Sequence, residues 1–191
     1  MVLLSQDEAR FPMVPTLSRT LGVKGHRPHV GTQDCKDLLY VFAVVNLVTA
    51  ALHSTTLESP KDAKQKTGQS KTARMQEAFA AHLRHVGRVY PRDKHPRVVL
   101  LIDNAPWHTG RALKEALADN PHLELKRLPS YSPMLNPIER FWKVLRRRAT
   151  HNRLFDTLAD LKRSVRNSLS YFQTVRGRIK TLIAKCYTGQ K

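Results

Sequence analysis

Residues 98–108, VVLLIDNAPWH, decide the fold of this chain. They begin with a continuous apolar run, which is typical of a strand buried on both faces of a sheet covered by helices. The run ends on Asp103, in a chain with 15 Asp and Glu against 33 Lys and Arg. Functional side chains of such sheets gather at the carboxyl ends of strands, which makes Asp103 a candidate. Asp103 could equally form a turn, because Asp bonds its own backbone where a strand ends.

The segments around this strand predict a mixed sheet with helical cover, an α/β fold. Strand patterns occupy residues 2–11, 38–57 with a bend near Asn46 that makes two strands, 97–103 and 123–128. Helical patterns occupy residues 75–86 with Gly87 as a C-cap, 110–118, and the chain after residue 140. The lysine-rich residues 59–71 are predicted to form a loop.

The charge of the chain points to a polyanionic partner. The formal net charge is +18, and residues 140–191 hold 14 Lys and Arg against Asp156 and Asp160 alone. A basic helical region can be no more than a solvated surface, but this concentration favours a surface that binds phosphates. We therefore expect DNA or RNA as the partner.

The cellular location follows from what the sequence lacks. Cys35 and Cys186 lie far apart without a CxxC spacing, which predicts a reducing compartment and no thiolate zinc site. The most apolar run, residues 38–52, is shorter than the ~18 residues of a membrane span, and no signal-peptide pattern is present. We expect a cytoplasmic protein with no membrane partner.

Three carboxylates stand out by their positions: Asp7 within a strand, Asp103 at the end of a buried strand, and Glu139 at a helix start. Each has a structural explanation on its own. Asp7 could be an ordinary acid of an edge strand. Asn136 and Pro137 precede Glu139 in the pattern of a capping box, with proline at its favoured first helical position. Glu139 also borders an apolar stripe, and these are its members: Ile138, Phe141, Trp142 and Leu145.

The motifs around these acids resemble those of a known enzyme family. QDEARF at residues 6–11, DNAPWH at 103–108 and LPSYSPMLNPIERFW at 128–142 are similar to the three catalytic motifs of mariner-like DDE transposases, in their bacterial insertion-sequence branch. The 35 residues between Asp103 and Glu139 are close to the family's spacing, and LGVKGHRP at 21–28 resembles its segment after the first strand. The resemblance runs from Leu4 to about Phe155.

The resemblance implies a ribonuclease H-like fold with a mixed five-stranded sheet flanked by helices. Residues 1–155 would form the catalytic domain and 156–191 a basic helical C-terminal extension. Asp7, Asp103 and Glu139 would be the catalytic residues and the ligands of two Mg²⁺ or Mn²⁺ ions, since hard cations prefer carboxylate oxygen. The enzyme would cut DNA at transposon ends and join the freed 3′-hydroxyl to target DNA. A homodimer in the active complex and association with the bacterial nucleoid also follow.

Three neighbours of these acids have weaker predicted roles. Glu8 should face away from Asp7, because side chains alternate along a strand, and is left out of the metal site. Asn104 and His108 belong to the matched motif and could position substrate or water. A loop histidine with its hydrogen bonds satisfied is an equal interpretation of His108.

Aromatic and histidine residues elsewhere are predicted to be structural. Trp107 and Tyr131 could stack on unpaired bases, but packing is the better interpretation. His82 and His85 have the spacing of a zinc pair, although no further ligands are apparent in the sequence.

Members of the family usually carry helix-turn-helix elements before the first catalytic strand, whereas this chain begins a few residues before Asp7. We expect a catalytic domain alone, as a truncated copy, the second reading frame of a split element, or a fragment. Two other functions remain open. One is a stand-alone ribonuclease H-like nuclease, and the other is a decayed or regulatory DNA-binding fragment without activity.

Overall fold

The computed structural model describes residues 1–26, 28–129 and 135–187, with the backbone alone at Lys64, Lys66 and 185–187. The strands are β1 (Val2–Pro12), β2 (Leu38–Asn46), β3 (Leu52–Ser59), β4 (Val98–Ile102) and β5 (Leu123–Arg127). The helices are α1 (Ala63–Thr67), α2 (Lys71–Val89), α3 (Arg111–Asp119), α4 (Ile138–Ala149), α5 (Leu158–Thr174) and α6 (Arg176–Tyr187).

The five strands form one mixed sheet in the order β3-β2-β1-β4-β5, with β1 at its centre. β1 pairs antiparallel with β2 and parallel with β4, and β5 continues the parallel half. This arrangement confirms the predicted fold class, a ribonuclease H-like mixed sheet of five strands flanked by helices. It also places the first strand of the chain beside the strand that ends at Asp103.

Alternation along β1 divides the molecule into two apolar cores. Ala9 and Phe11 face one core, which α4, α5 and α6 complete. Leu4 faces the other core, where α2 and α3 cover the sheet with residues such as Phe79 and Leu83. The even and odd positions of β1 therefore point to different helices, as the period of a strand requires.

The apolar stripe of α4 is confirmed, because all four of its predicted members are buried. α2 differs from its prediction at Gly87, which lies inside the helix and not at its end. A Cβ atom at Gly87 would come within 1.9 Å of Asn120 Oδ1, so the glycine permits a close approach of the segment after α3. The predicted loop before α2 also contains the short helix α1.

The C-terminal helices contribute to the same core as α4. Leu161, Val165 and Phe172 of α5 and Ile179 of α6 are buried against the sheet. The domain division after residue 155 stays a prediction. Cys35 is a free thiol, and the side chain of Cys186 lies outside the described residues. In the described part of the chain, no helix combines the length and the apolar character that crossing a membrane demands.

Candidate active site

Asp7 is a buried carboxylate on the central strand. Its residue is 7% exposed, and its Oδ2 atom accepts a hydrogen bond of 2.9 Å from Trp142 Nε1 on α4. Burial, followed by the negative charges of Glu8 and Glu139, raises the pKa of Asp7 to about 8, although the Trp142 bond opposes this shift. A buried acid next to two like charges is costly unless a cation compensates it.

Glu139 lies in the first turn of α4 and is half-buried. The start of this helix is fastened to β1 by Asn136, whose Oδ1 accepts a hydrogen bond from Ser5 Oγ and whose Nδ2 donates to the Gln6 carbonyl at 3.1 Å. These contacts bring Glu139 within electrostatic range of Asp7.

The predicted capping box at the start of α4 is wrong. The helix begins at Ile138 with Pro137 at its N-cap, and the Asn136 side chain bonds β1 instead of the helix. Within the described residues, the Glu139 carboxylate has no hydrogen-bond partner, so the cap does not account for this glutamate. The strand contacts of Asn136 decided the outcome, because they engage both its Oδ1 and its Nδ2 atom.

Asp103 follows the last residue of β4. β1 and β4 are parallel with Ser5 opposite Leu101, so the same register continued by two residues brings Asp103 level with Asp7. Its Oδ1 atom accepts from the Ala105 backbone N–H at 3.0 Å, which is the turn contact that the sequence left open. The hydrogen bond from His108 holds the pKa of Asp103 below its usual value, although partial burial opposes this.

His108 lies between two carboxylates. Its Nδ1 atom is 3.1 Å from Asp103 Oδ1, and its Nε2 atom is 3.4 Å from Glu8 Oε2. The ring is fully buried, with its centroid 4.2 Å from that of Phe79. Burial by itself would lower its pKa, but Asp103 and Glu8 outweigh it and raise the pKa of His108 to about 9. Both carboxylates therefore favour the protonated form of the imidazole.

Glu8 faces the opposite side of β1 from Asp7, as predicted from alternation. Its Oε1 atom accepts a hydrogen bond of 2.6 Å from Trp107 Nε1, which confirms a structural contact for that tryptophan. Among the described residues, Glu8, Asp103 and His108 form a group whose ligand atoms all lie within 4.8 Å of one another. Sequence reasoning missed this group, because it excluded Glu8 by its face and left His108 undecided.

The comparisons with known proteins follow this geometry. A sequence model of the family described as DDE superfamily endonuclease matches residues 2–162. The chain belongs to this family. An IS630 insertion-element 39 kDa protein of Shigella sonnei is 26% identical over 162 residues, which cover 85% of this chain and 43% of that protein. An uncharacterized protein of Sinorhizobium fredii, y4pE/y4sA, is 38% identical over 85 residues, which cover 44% of this chain and 58% of that protein.

Solved structures confirm the fold of this DDE-family chain. The Mos1 mariner paired-end complex with Mn has a TM-score of 0.62 at 19% identity, over 98% of this chain and 55% of that one. The Mos1 transposase catalytic domain with raltegravir and Mg has a TM-score of 0.57 at 19% identity, over 98% and 82%. The family model thus confirms that the chain is a DDE-family protein, and these structures confirm its fold. The chain spans about half the length of the curated relatives it matches.

The remaining candidates of this DDE-family chain have structural contacts. Asn104 Nδ2 donates to the Leu128 carbonyl at 2.8 Å and so joins the segments that follow β4 and β5. His82 is buried and its Nδ1 atom lies 2.9 Å from Thr55 Oγ1; in the described chain neither His82 nor His85 belongs to a group of three metal ligands. Tyr131 and residues 130–134 of the proline-rich motif lie outside the described residues.

Proposed function

We propose that this chain performs the metal-dependent chemistry of DNA transposition. It cleaves phosphodiester bonds at transposon ends and transfers the 3′-hydroxyl end to target DNA, with Asp7, Asp103 and Glu139 as catalytic residues and metal ligands. The observation that carries the proposal is the buried Asp7 carboxylate beside Glu139, in a chain of formal net charge +18. The family membership and the Mos1 neighbours, which include complexes with Mn and with Mg, support it.

The three acids have the chemistry of a site for Mg²⁺ or Mn²⁺, although among the described residues their oxygen atoms do not all lie within 4.8 Å of one another. All three offer carboxylate oxygen, which hard divalent cations prefer, and Mg²⁺ takes few protein ligands because it keeps several waters. Burial, followed by the charges of Glu8 and Glu139, raises the pKa of Asp7, and a bound divalent cation would favour the ionised carboxylate. Two bound cations would supply activation of the attacking oxygen and stabilisation of the leaving oxygen. Asp7 would hold them from β1, Asp103 from the segment that follows β4, and Glu139 from α4.

The DNA partner is supported by the surface of α4 to α6. Many of its basic side chains are exposed: Lys143, Arg147, Arg148, Arg153, Arg163, Arg166, Arg176, Arg178 and Lys180. Such side chains bind phosphates without reading sequence, and therefore serve transposon ends and target DNA equally. A neighbouring structure is described as a Mos1 transposase paired-end complex with left transposon end. Accordingly, our proposal includes a homodimer that holds two ends.

The proposal is tested by nicking and joining of labelled DNA that carries the element's inverted repeats, in Mg²⁺ and in Mn²⁺. The parent chain should nick and join, and Asp103→Asn should bind DNA as the parent does but lose nicking, because metal ligands act on the transition state. Nicking without joining would favour a stand-alone nuclease. Absence of nicking in both metals would favour a DNA-binding fragment.

Glu139→Gln separates the catalytic from the structural explanation of the glutamate. Since Asn136 and not Glu139 fixes the start of α4, this variant should keep the parent's Tm and lose nicking. Full nicking activity in Glu139→Gln would remove Glu139 from the site.

A further inference from the structure

A line of three side chains crosses from β1 to the segment after β4. Glu8 Oε2 lies 3.4 Å from His108 Nε2, an ion-pair distance without a hydrogen bond in the described residues, and His108 Nδ1 lies 3.1 Å from Asp103 Oδ1. Glu8 lies on the opposite face of β1 from Asp7, so this line approaches Asp103 from the face of the sheet that is opposite to Asp7. The proposed function assigns no role to its first two members.

The far end of this line is fixed by contacts on several sides. The Glu8 carboxylate accepts from Trp107 Nε1 at 2.6 Å, and the His108 ring packs on Phe79. The His108 carbonyl accepts from Arg127 Nη2 at 2.6 Å. His108 is fully buried by these contacts, which leaves its imidazole little freedom to move.

The near end of the line acts on one oxygen of Asp103. Oδ1 accepts from the Ala105 backbone N–H and lies 3.1 Å from His108 Nδ1, which also lies 3.2 Å from the Asp103 carbonyl oxygen; no donor in the described residues reaches Oδ2. The Asp103 side chain is 50% exposed, so without these two donors its carboxylate would be free to rotate. Together they restrain the position of Oδ1 and leave Oδ2 available.

We propose that His108, anchored by Glu8, is a positioning residue that orients the Asp103 carboxylate for metal binding. The inference rests on the proposed function, because it requires Asp103 to be a metal ligand. Partners that hydrogen-bond a metal ligand orient it, and their loss typically costs about 10–100-fold in metal affinity.

The same three residues are poorly arranged to hold an ion themselves, although their ligand atoms lie within 4.8 Å of one another. The two ring nitrogens of His108 point in different directions, one to each carboxylate. The ring therefore occupies the space between Glu8 and Asp103, where an ion bound by all three would have to lie.

A matched pair of substitutions at residue 108 tests the proposal. His108→Asn places an amide N–H near the position of Nδ1, and His108→Leu has the same branching without a donor. Both variants lose the imidazole charge and its contact with Glu8, so they differ in the donor to Asp103. Binding of Mn²⁺ alone, followed by the electron paramagnetic resonance signal of the free ion, should be at least about tenfold tighter for the Asn variant.

His108→Gln supplies a second, independent comparison. Its longer amide reaches towards Glu8 and not towards Asp103, so it should bind Mn²⁺ as weakly as His108→Leu. His82→Asn and His82→Leu are the control pair, because His82 is also fully buried but its Nδ1 atom contacts Thr55 of β3 and no carboxylate; these two should bind Mn²⁺ alike. Tm is measured for every variant so that affinities are compared between folded proteins.

Equal Mn²⁺ affinities for folded His108→Asn and His108→Leu would overturn the inference, and so would a His108→Gln variant that binds as tightly as His108→Asn. Asp103→Asn separates this failure from that of the proposed function. If Asp103→Asn binds Mn²⁺ as the parent does, Asp103 is not a ligand and the proposed site fails. If it binds weakly while the residue 108 variants are equal, the positioning role alone fails.

Discussion

Replacing Asp7 with asparagine should make the metal-free protein more stable while it removes activity. Asp7 is buried on the central strand, and its carboxylate is close to the charges of Glu8 and Glu139. Asparagine has nearly the same shape and no charge, and its Oδ1 atom can accept the hydrogen bond that Trp142 Nε1 now gives to Asp7. The fold would then no longer have to keep a buried carboxyl group protonated, and it would keep the contact that ties β1 to α4.

The size of this effect follows from the pKa of Asp7, which burial and the two neighbouring carboxylates raise from 3.8 to about 8. At pH 7 the folded protein must hold a proton that the unfolded chain has released. This lowers the free energy of unfolding by about 1.4 kcal/mol for each pH unit above 3.8, or by about 4 kcal/mol at pH 7 as an upper bound. The NH₂ group of the new asparagine costs about 1–3 kcal/mol if it is buried without a hydrogen-bond partner, and this offsets part of the gain. We expect a net gain of about 1–3 kcal/mol, or roughly 3–10 °C in Tm.

The sign of the pH dependence gives a sharper test. Because the pKa of Asp7 is raised in the folded state, the stability that its protonated form contributes is fully present below pH 3.8 and is lost as the pH rises towards 8. Urea unfolding in EDTA should therefore give a difference between Asp7→Asn and the parent that is small near pH 4 and grows up to pH 8. The exposed Asp93→Asn is the control and should change stability by less than about 0.5 kcal/mol. A variant less stable than the parent at pH 7, or a difference that does not change with pH, would refute the reasoning.

Three further outcomes are expected. Asn136→Ala should lower the free energy of unfolding by about 2–3 kcal/mol in urea, because the Ser5 hydroxyl and the Gln6 carbonyl lose their partner; an unchanged value would contradict the fastening of α4. Burial, followed by the charges of His85 and His53, lowers the pKa of His82 to about 3. The free energy of unfolding of the parent should therefore fall as the pH drops below 6.5, by about 2 kcal/mol at pH 5. His82→Leu should lose less stability over the same pH range in urea unfolding. DNA binding followed by fluorescence anisotropy gives the slope of log K against log salt concentration. Changing both Lys143 and Arg147 to alanine should reduce this slope by up to about 1.8 for inverted-repeat and unrelated DNA alike. A change confined to one DNA would indicate that these side chains read sequence.

Much of the fold could be predicted because it depends on local patterns. The alternation in β1 correctly separated Asp7 from Glu8, and the spacing of apolar residues in α4 correctly identified its buried face. The continuous apolar run of β4 correctly predicted a strand covered on both sides. In each case one element and one period were enough to fix which side chains enter a core.

The errors arose where a residue's role depends on a distant part of the chain. The capping-box pattern around Asn136 was a sound local interpretation, but its side chain bonds Ser5 and Gln6, about 130 positions away. Gly87 has the local appearance of a C-cap, whereas its cause is the approach of Asn120. The contact between Glu8 and His108 likewise joins residues on different elements, so no spacing within either motif reveals it.

The helix α4 connects the core to the candidate site. Its apolar side buries Phe141 in the core, its Trp142 donates to Asp7, and Glu139 projects from its first turn. Asn136 fastens the same turn to β1 through one side chain and one backbone contact. The distance between Asp7 and Glu139 is therefore set by the packing of the helix on the sheet and not by a flexible loop. Rigid elements hold catalytic groups more accurately than loops do, so the two acids can remain close despite their mutual repulsion.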